Sequence, residues 1–155
     1  MNKFDDHTRR LLENIKIRLG LFVDKKIELA DLLNRLDAVY QVLALGNKDL
    51  ANEFFQYCLD LESIVAGVAS RDSLELDEEE NEIVNDTVEK LHNMILTQLA
   101  NYLKVPDPSV TTTATQLDNA WLLCPNCIDA WETTSKDAMI ICPKCDRALH
   151  NPRAV

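Results

Sequence analysis

A mainly α-helical protein with a small C-terminal β module is the fold class this sequence predicts, on three observations. Over residues 1–104 of the 155-residue chain, apolar residues recur at helical spacing among Leu, Glu, Asp, Lys and Ala, and the chain has only three glycines to interrupt them. A break rich in proline and threonine follows at 105–117. Beyond it, short β-prone runs surround two pairs, Cys124-Pro125-Asn126-Cys127 and Cys142-Pro143-Lys144-Cys145. The expected organisation is an antiparallel four-helix bundle over 1–104, a linker over 105–117 and a cysteine module over 118–155.

The first helix is expected from about Asp6 to Val23, with Leu11, Leu12, Ile15 and Leu19 on one face and Asp5 or Asp6 as cap. The second runs from about Glu28 to Leu45 on a stripe of Leu29, Leu32, Leu33, Leu36, Val39, Tyr40 and Leu43, and Gly46-Asn47 reads as its C-cap. The third, about Lys48 to Ser70, is the most apolar and is expected to be the most enclosed, through Leu50, Phe54, Phe55, Cys58, Leu61, Val65 and Val68 or Ala69. The fourth, about Asp77 to Lys104, carries Val84, Val88, Leu91, Ile95, Leu99 and Tyr102, and its Asp77-Glu78-Glu79-Glu80 start suits the positive end of a helix dipole. Pro106 disfavours helix at the residue before it, and the threonine run favours extended chain. No internal repeat is read.

Three strands are expected around the cysteines, at about 120–123, 128–134 and 138–141. Cys124, Cys127, Cys142 and Cys145, in the spacing Cys-x2-Cys-x14-Cys-x2-Cys, offer two thiolates per turn and so one tetrahedral four-thiolate site. That is the pattern of a zinc ribbon, with Zn2+ in a structural role. A segment this small buries too little apolar surface to fold alone, so metal binding would supply much of its folding free energy. Iron also suits four thiolates, but rubredoxin-like knuckles usually carry glycine after the second cysteine, where this chain has Ile128 and Asp146. A redox pair would need a thioredoxin-like setting that is missing here. Cys58 reads as a small buried hydrophobe and His150 as lying outside the metal shell.

The charged start Met1-Asn2-Lys3-Phe4-Asp5-Asp6 has no apolar signal-peptide core, and no membrane-length apolar run follows. A cytoplasmic location is therefore expected, where thiols stay reduced. The net charge is −10, divided as −8 over 1–104 (20 acidic, 12 basic) and −2 over 105–155 (6 acidic, 4 basic). That balance disfavours nucleic acid as a partner, and Lys144, Arg147 and Arg153 read as a solvated surface. No catalytic residue is identified. His7, His92 and His150 are scattered, Glu89 and His92 form a single Glu-x-x-His where a di-iron bundle needs two, and no phosphate loop or nucleophile elbow occurs. The expectation is a protein that is not an enzyme.

The runs Asp31-Leu32-Leu33-Asn34-Arg35-Leu36-Asp37-Ala38-Val39-Tyr40, Phe55-Gln56-Tyr57-Cys58-Leu59-Asp60-Leu61-Glu62-Ser63-Ile64-Val65-Ala66 and Leu76-Asp77-Glu78-Glu79-Glu80 resemble small helical bacterial toxin-immunity proteins. The resemblance covers the helical part alone. It implies a cytoplasmic protein that neutralises a toxin by binding it, and an acidic surface suits a basic toxin. The alternative is a zinc-ribbon accessory factor acting on nucleic acid or the transcription machinery, with Trp121 and Trp131 as stacking platforms if exposed. Without basic residues around them, they read instead as the ribbon's miniature core or its docking face on the bundle, and a partner adaptor with the ribbon as recognition tip is a third reading. The sequence singles out no residue as partner-binding.

Overall fold

The computed structural model describes residues 5–71 and 75–154; Met1–Phe4 of the charged start, Asp72–Leu74 between the third and fourth helices, and Val155 lie outside the described residues. Among the described residues, four helices come first: α1 Asp6–Val23, α2 Leu29–Gly46, α3 Lys48–Ser70 and α4 Glu78–Lys104. Five short strands follow: β1 Thr115–Gln116, β2 Trp121–Leu123, β3 Ala130–Glu132, β4 Met139–Ile141 and β5 Ala148–His150. Two compact units divide the chain. Thr8–Thr97 form one, and Asp5–His7 with the described residues from Gln98 onward form the other. Among the described residues, no helix is long and apolar enough to cross a membrane.

The helical unit is built by the predicted stripes. Leu12, Ile15 and Leu19 of α1, Leu32, Leu36 and Leu43 of α2, Phe54 and Leu61 of α3, and Val84, Leu91 and Ile95 of α4 are all buried. Their three- and four-residue spacing puts them on one face of each helix. Each such side chain contributes up to about 1.5–3 kcal/mol on leaving water. α2 and α3 pack against one another as a hairpin joined by Asn47 alone. Asn47 caps α2 as expected, with an extended φ of −145°, and it also serves as the N-cap of α3. Its backbone N–H donates to the Leu43 carbonyl at 2.8 Å, and its side-chain Oδ1 accepts from the Leu50 N–H at 3.1 Å.

The expectation that α3 is the most enclosed helix is not met: α1 and α4 bury a larger share of their residues, and burial along α3 fades after Leu61. Leu50, Phe54, Cys58 and Leu61 are buried, whereas Val65 and Val68 are half-buried and Ala69 is exposed. The apolar stripe outruns the core it packs on. α1 ends in a left-handed turn in which Lys25 N–H donates to Phe22 O and Lys26 N–H to Leu21 O, with Lys25 at φ 61°. α4 opens with a capping box: Glu80 N–H donates to Asp77 Oδ1 at 2.8 Å, and Asp77 N–H to Glu80 Oε1 at 3.0 Å. The acidic start thus has a specific role beyond the helix dipole.

In the second unit the three expected strands all form, but they do not make one sheet. β1, β2 and β3 form an antiparallel sheet in that order, and β4 pairs with β5 in a second. Ala114, Leu122, Cys124, Ile140, Cys142 and Leu149 close a miniature core, with Trp131, Cys127 and Cys145 packed against it. The chain entering this module is tied down by polar contacts. Asp107 accepts from the Tyr102 hydroxyl at 2.8 Å and from the Ser109 N–H and hydroxyl at 2.9 and 2.6 Å. Burial opposes ionisation of Asp107, but the Ser109 and Tyr102 hydrogen bonds hold its carboxyl below the usual range.

Candidate metal centre

Each cysteine pair sits on the turn of a β-hairpin, and the two turns are copies of one another. Leu123-Cys124-Pro125-Asn126-Cys127-Ile128-Asp129-Ala130 connects β2 to β3, and Ile141-Cys142-Pro143-Lys144-Cys145-Asp146-Arg147-Ala148 connects β4 to β5. In the first, Ile128 N–H donates to Cys124 O and Cys124 N–H to Asp129 O, both at 2.9 Å. In the second, Asp146 N–H donates to Cys142 O at 2.9 Å and Cys142 N–H to Arg147 O at 3.0 Å. The strand registers match too, Leu123 opposite Ala130 and Ile141 opposite Ala148. The reading of no internal repeat is therefore corrected: a Leu/Ile-Cys-Pro-x-Cys-x-x-Ala unit occurs twice. The Cys-Pro-x-Cys pairs stand out in the sequence, whereas the flanking Leu/Ile and Ala positions gain meaning only from the matching strand registers.

The residue after each second cysteine completes the turn in the left-handed region, Ile128 at φ 60° and Asp146 at φ 58°. Glycine takes that conformation freely, while other residues pay about 1–2 kcal/mol, a β-branched one most of all. The backbone form thus matches the glycine-bearing knuckle. The identity of these two residues consequently carries no argument for zinc over iron.

The four Sγ atoms lie within 4.8 Å of one another. Between the turns, Cys124 lies 3.7 Å from Cys145 and Cys127 lies 3.6 Å from Cys142. A tetrahedron with metal–sulfur bonds of about 2.3 Å has edges of about 3.8 Å, so these separations fit one ion held by four thiolates. They exceed by far the roughly 2.05 Å of a disulfide, and all four cysteines are free. Such a set could hold a metal ion. Burial opposes ionisation in the cluster: it pushes the Cys127 thiol up to about 12, whereas at Cys145 the Arg147 N–H and the neighbouring cysteines outweigh it and bring the thiol to about 7. Four anions in one small volume need a cation at their centre, which is what a divalent ion supplies.

The cysteine module contains a residue that sequence reasoning misplaced. Arg153, read as part of a solvated surface, is 9 % exposed. Its guanidinium donates to three main-chain carbonyls: Nη1 to Thr133 at 2.6 Å, and Nη2 to Asp118 and to Trp121, the latter at 3.1 Å. Asn151 adds two bonds, from Nδ2 to the carbonyls of Ser135 at 3.0 Å and Asp137 at 2.8 Å. The C-terminal segment therefore fastens the β1–β2 turn to the chain between β3 and β4. Asp118, whose carboxylate accepts the Ala120 and Trp121 N–H groups at 2.8 Å each, shapes that turn, and these bonds hold its carboxyl low.

His150 lies outside the thiolate group, as expected, with Nε2 on the Val110 carbonyl at 2.6 Å. Its backbone bridges Thr113, which brings the threonine run to β5. His7 is exposed and His92 half-buried, and neither joins Glu89 or any other group that could hold a metal among the described residues. Cys58 is buried, as its apolar setting predicts, and burial first, then the Glu62 and Asp37 charges, push its thiol up to about 12. No family model, curated protein or solved structure matches the chain.

Proposed function

We propose that this chain is a non-catalytic, cytoplasmic protein-binding protein whose C-terminal ribbon is held by a structural zinc ion, and that its partner is a basic protein. The single observation that carries the structural role is the thiolate geometry: four sulfurs at tetrahedral spacing leave no coordination position open for water or substrate. When bound, the ion would neutralise the thiolates and join the two hairpins. Function then rests with the surface, where a net charge of −10 favours fast association with a basic partner. In its most specific form, supported by the resemblance of the helical segments to immunity proteins, the partner is a toxin that this protein neutralises.

A second reading has one observation in its favour. Trp121 is 42 % exposed on β2 and could stack on a nucleic-acid base, which would make this a zinc-ribbon accessory factor. The experiment that separates them is affinity capture of the metal-loaded protein from nuclease-treated lysate, with the captured proteins identified and single-stranded oligonucleotides titrated in parallel. A stoichiometric basic protein, released by salt, supports the proposal. Oligonucleotide binding lost in Trp121→Ala, or capture lost on nuclease treatment, would replace it with the second reading.

A further inference from the structure

The helical unit carries an apolar groove of about 780 Å³ whose walls come from the end of α1, the α1–α2 turn, the start of α2, the last two turns of α3 and the start of α4. Phe22, Val23, Ile27, Leu29, Val65 and Val68 supply its floor. This is where the α3 stripe outruns the core: Val65 and Val68 continue the line of Phe54, Cys58 and Leu61, and among the described residues they are only half-buried. Volume alone falls in the range of small-molecule sites. However, Val23 is 64 % exposed and Ala69 is exposed, so the floor is too shallow to enclose a small ligand and suits an elongated one.

The rim has a sign. Glu28 lines the groove, Asp24 adjoins Val23 and Lys25, Glu62 stands one turn before Val65, and Glu78 and Glu82 flank the lining residues Asn81 and Asn85 on α4. All five carboxylates are exposed; against them stand Lys25, which lines the groove opposite in sign to Glu28, and Lys26 beside it, while Arg71 at the end of α3 is paired with Glu80. An apolar floor within an acidic rim is complementary to a helix with apolar residues at i, i+3, i+4 and i+7 and basic residues beside them. We infer that this groove is the seat for a basic amphipathic helix of the partner protein. The inference rests on the protein-binding reading and gives it a surface.

The test uses the full-length, metal-loaded protein and a fluorescein-labelled leucine–lysine helical peptide, with a leucine–glutamate counterpart as the opposite charge. Val68→Gln makes the floor polar without altering net charge, so it separates the groove from general acidity. The wild type is expected to bind the lysine peptide and not the glutamate one. Val68→Gln should weaken binding about tenfold or more, as loss of a central apolar contact does at such interfaces. Leu45→Gln, at an isolated exposed position on α2, should leave binding unchanged. Should Val68→Gln reduce helicity, Ala69→Gln at an exposed position of the same helix repeats the test.

Equal binding by Val68→Gln and wild type overturns the inference, as does equal binding of the two peptides. A homodimer that Val68→Gln dissociates in sedimentation also overturns it, by making a second copy the occupant. Capture of a basic partner that is undiminished in Val68→Gln removes the groove and leaves the protein-binding reading standing. Loss of peptide binding together with the absence of any basic partner removes both.

Discussion

Arg153→Met is the substitution from which the account of the ribbon predicts most. In the folded module the guanidinium donates to the carbonyls of Thr133, Asp118 and Trp121, so a single side chain joins segments 20 to 35 residues distant in sequence. Hydrogen bonds from a charged donor contribute about 1.5–3 kcal/mol each and are not additive when one group makes several. Methionine removes all three and strands their acceptors, but it keeps most of the apolar stem. It also relieves the guanidinium Nε, which is buried without a partner, a penalty of about 1 kcal/mol. The net destabilisation expected is about 3 kcal/mol. On the proposed coupling of this module's folding to zinc binding, that loss appears as an apparent zinc affinity weakened about 100-fold. Competition against a chromophoric chelator measures it. Both tryptophans of the chain, Trp121 and Trp131, lie in this module, so their fluorescence follows the same transition without interference from the helices. A zinc affinity within about threefold of wild type would refute the reasoning, because it would mean the clamp is absent or unneeded in solution.

Three further predictions follow from the helical unit. Asn47→Ala removes the side-chain acceptor of the Leu50 N–H and is expected to cost about 1–2 kcal/mol, measured by thermal unfolding followed by circular dichroism. Lys25→Gly relaxes a left-handed residue at the α1 C-terminus and should raise stability by about 0.5–1 kcal/mol; a loss of that size would show that the turn is not left-handed in solution. The Arg71 guanidinium, paired with Glu80 at 2.6 and 2.8 Å, and then the Asp77 cap hold the Glu80 carboxyl down to about 2, against an ordinary 4.5. A depressed carboxyl contributes its stability in full above the ordinary value and loses it as pH falls through the folded one. The start of α4 should accordingly loosen between about pH 4.5 and 2, with the Glu80 carboxyl titrating near 2 by nuclear magnetic resonance and shifting upward in Arg71→Ala.

The helices were legible because their signal is repeated: a stripe such as Leu32, Leu36, Val39 and Leu43 states its period several times, and all four residues are buried. The four-cysteine cluster was legible because its chemistry is narrow and its spacing local. β1 and β5 were not, since strands of two and three residues are too short to alternate, and each owes its existence to pairing with a partner already fixed by a knuckle. The threonine run followed by Asp118-Asn119 before Trp121 is a hairpin signal in retrospect. Arg153 was illegible for a different reason: nothing local marks an arginine whose acceptors are main-chain carbonyls elsewhere in the sequence. The fading burial of α3 likewise depends on where the other helices end. Its stripe reads as core from Leu50 to Val68, and only the surroundings of Val65 and Val68 make the last part a groove.

The central claim is that one metal ion, held by Cys124, Cys127, Cys142 and Cys145, folds the C-terminal module. Metal analysis of the purified protein, followed by chelation under reducing conditions with tryptophan fluorescence and far-ultraviolet circular dichroism recorded on the same sample, tests it most directly. The account predicts a single zinc ion per chain, whose removal abolishes the native emission of Trp121 and Trp131 while the helical signal persists, with Cys124→Ser reproducing the chelated state. Protein that carries no metal yet keeps that emission, or emission that survives chelation unchanged, would contradict it; iron in place of zinc would correct the identity of the ion and leave the fold argument intact.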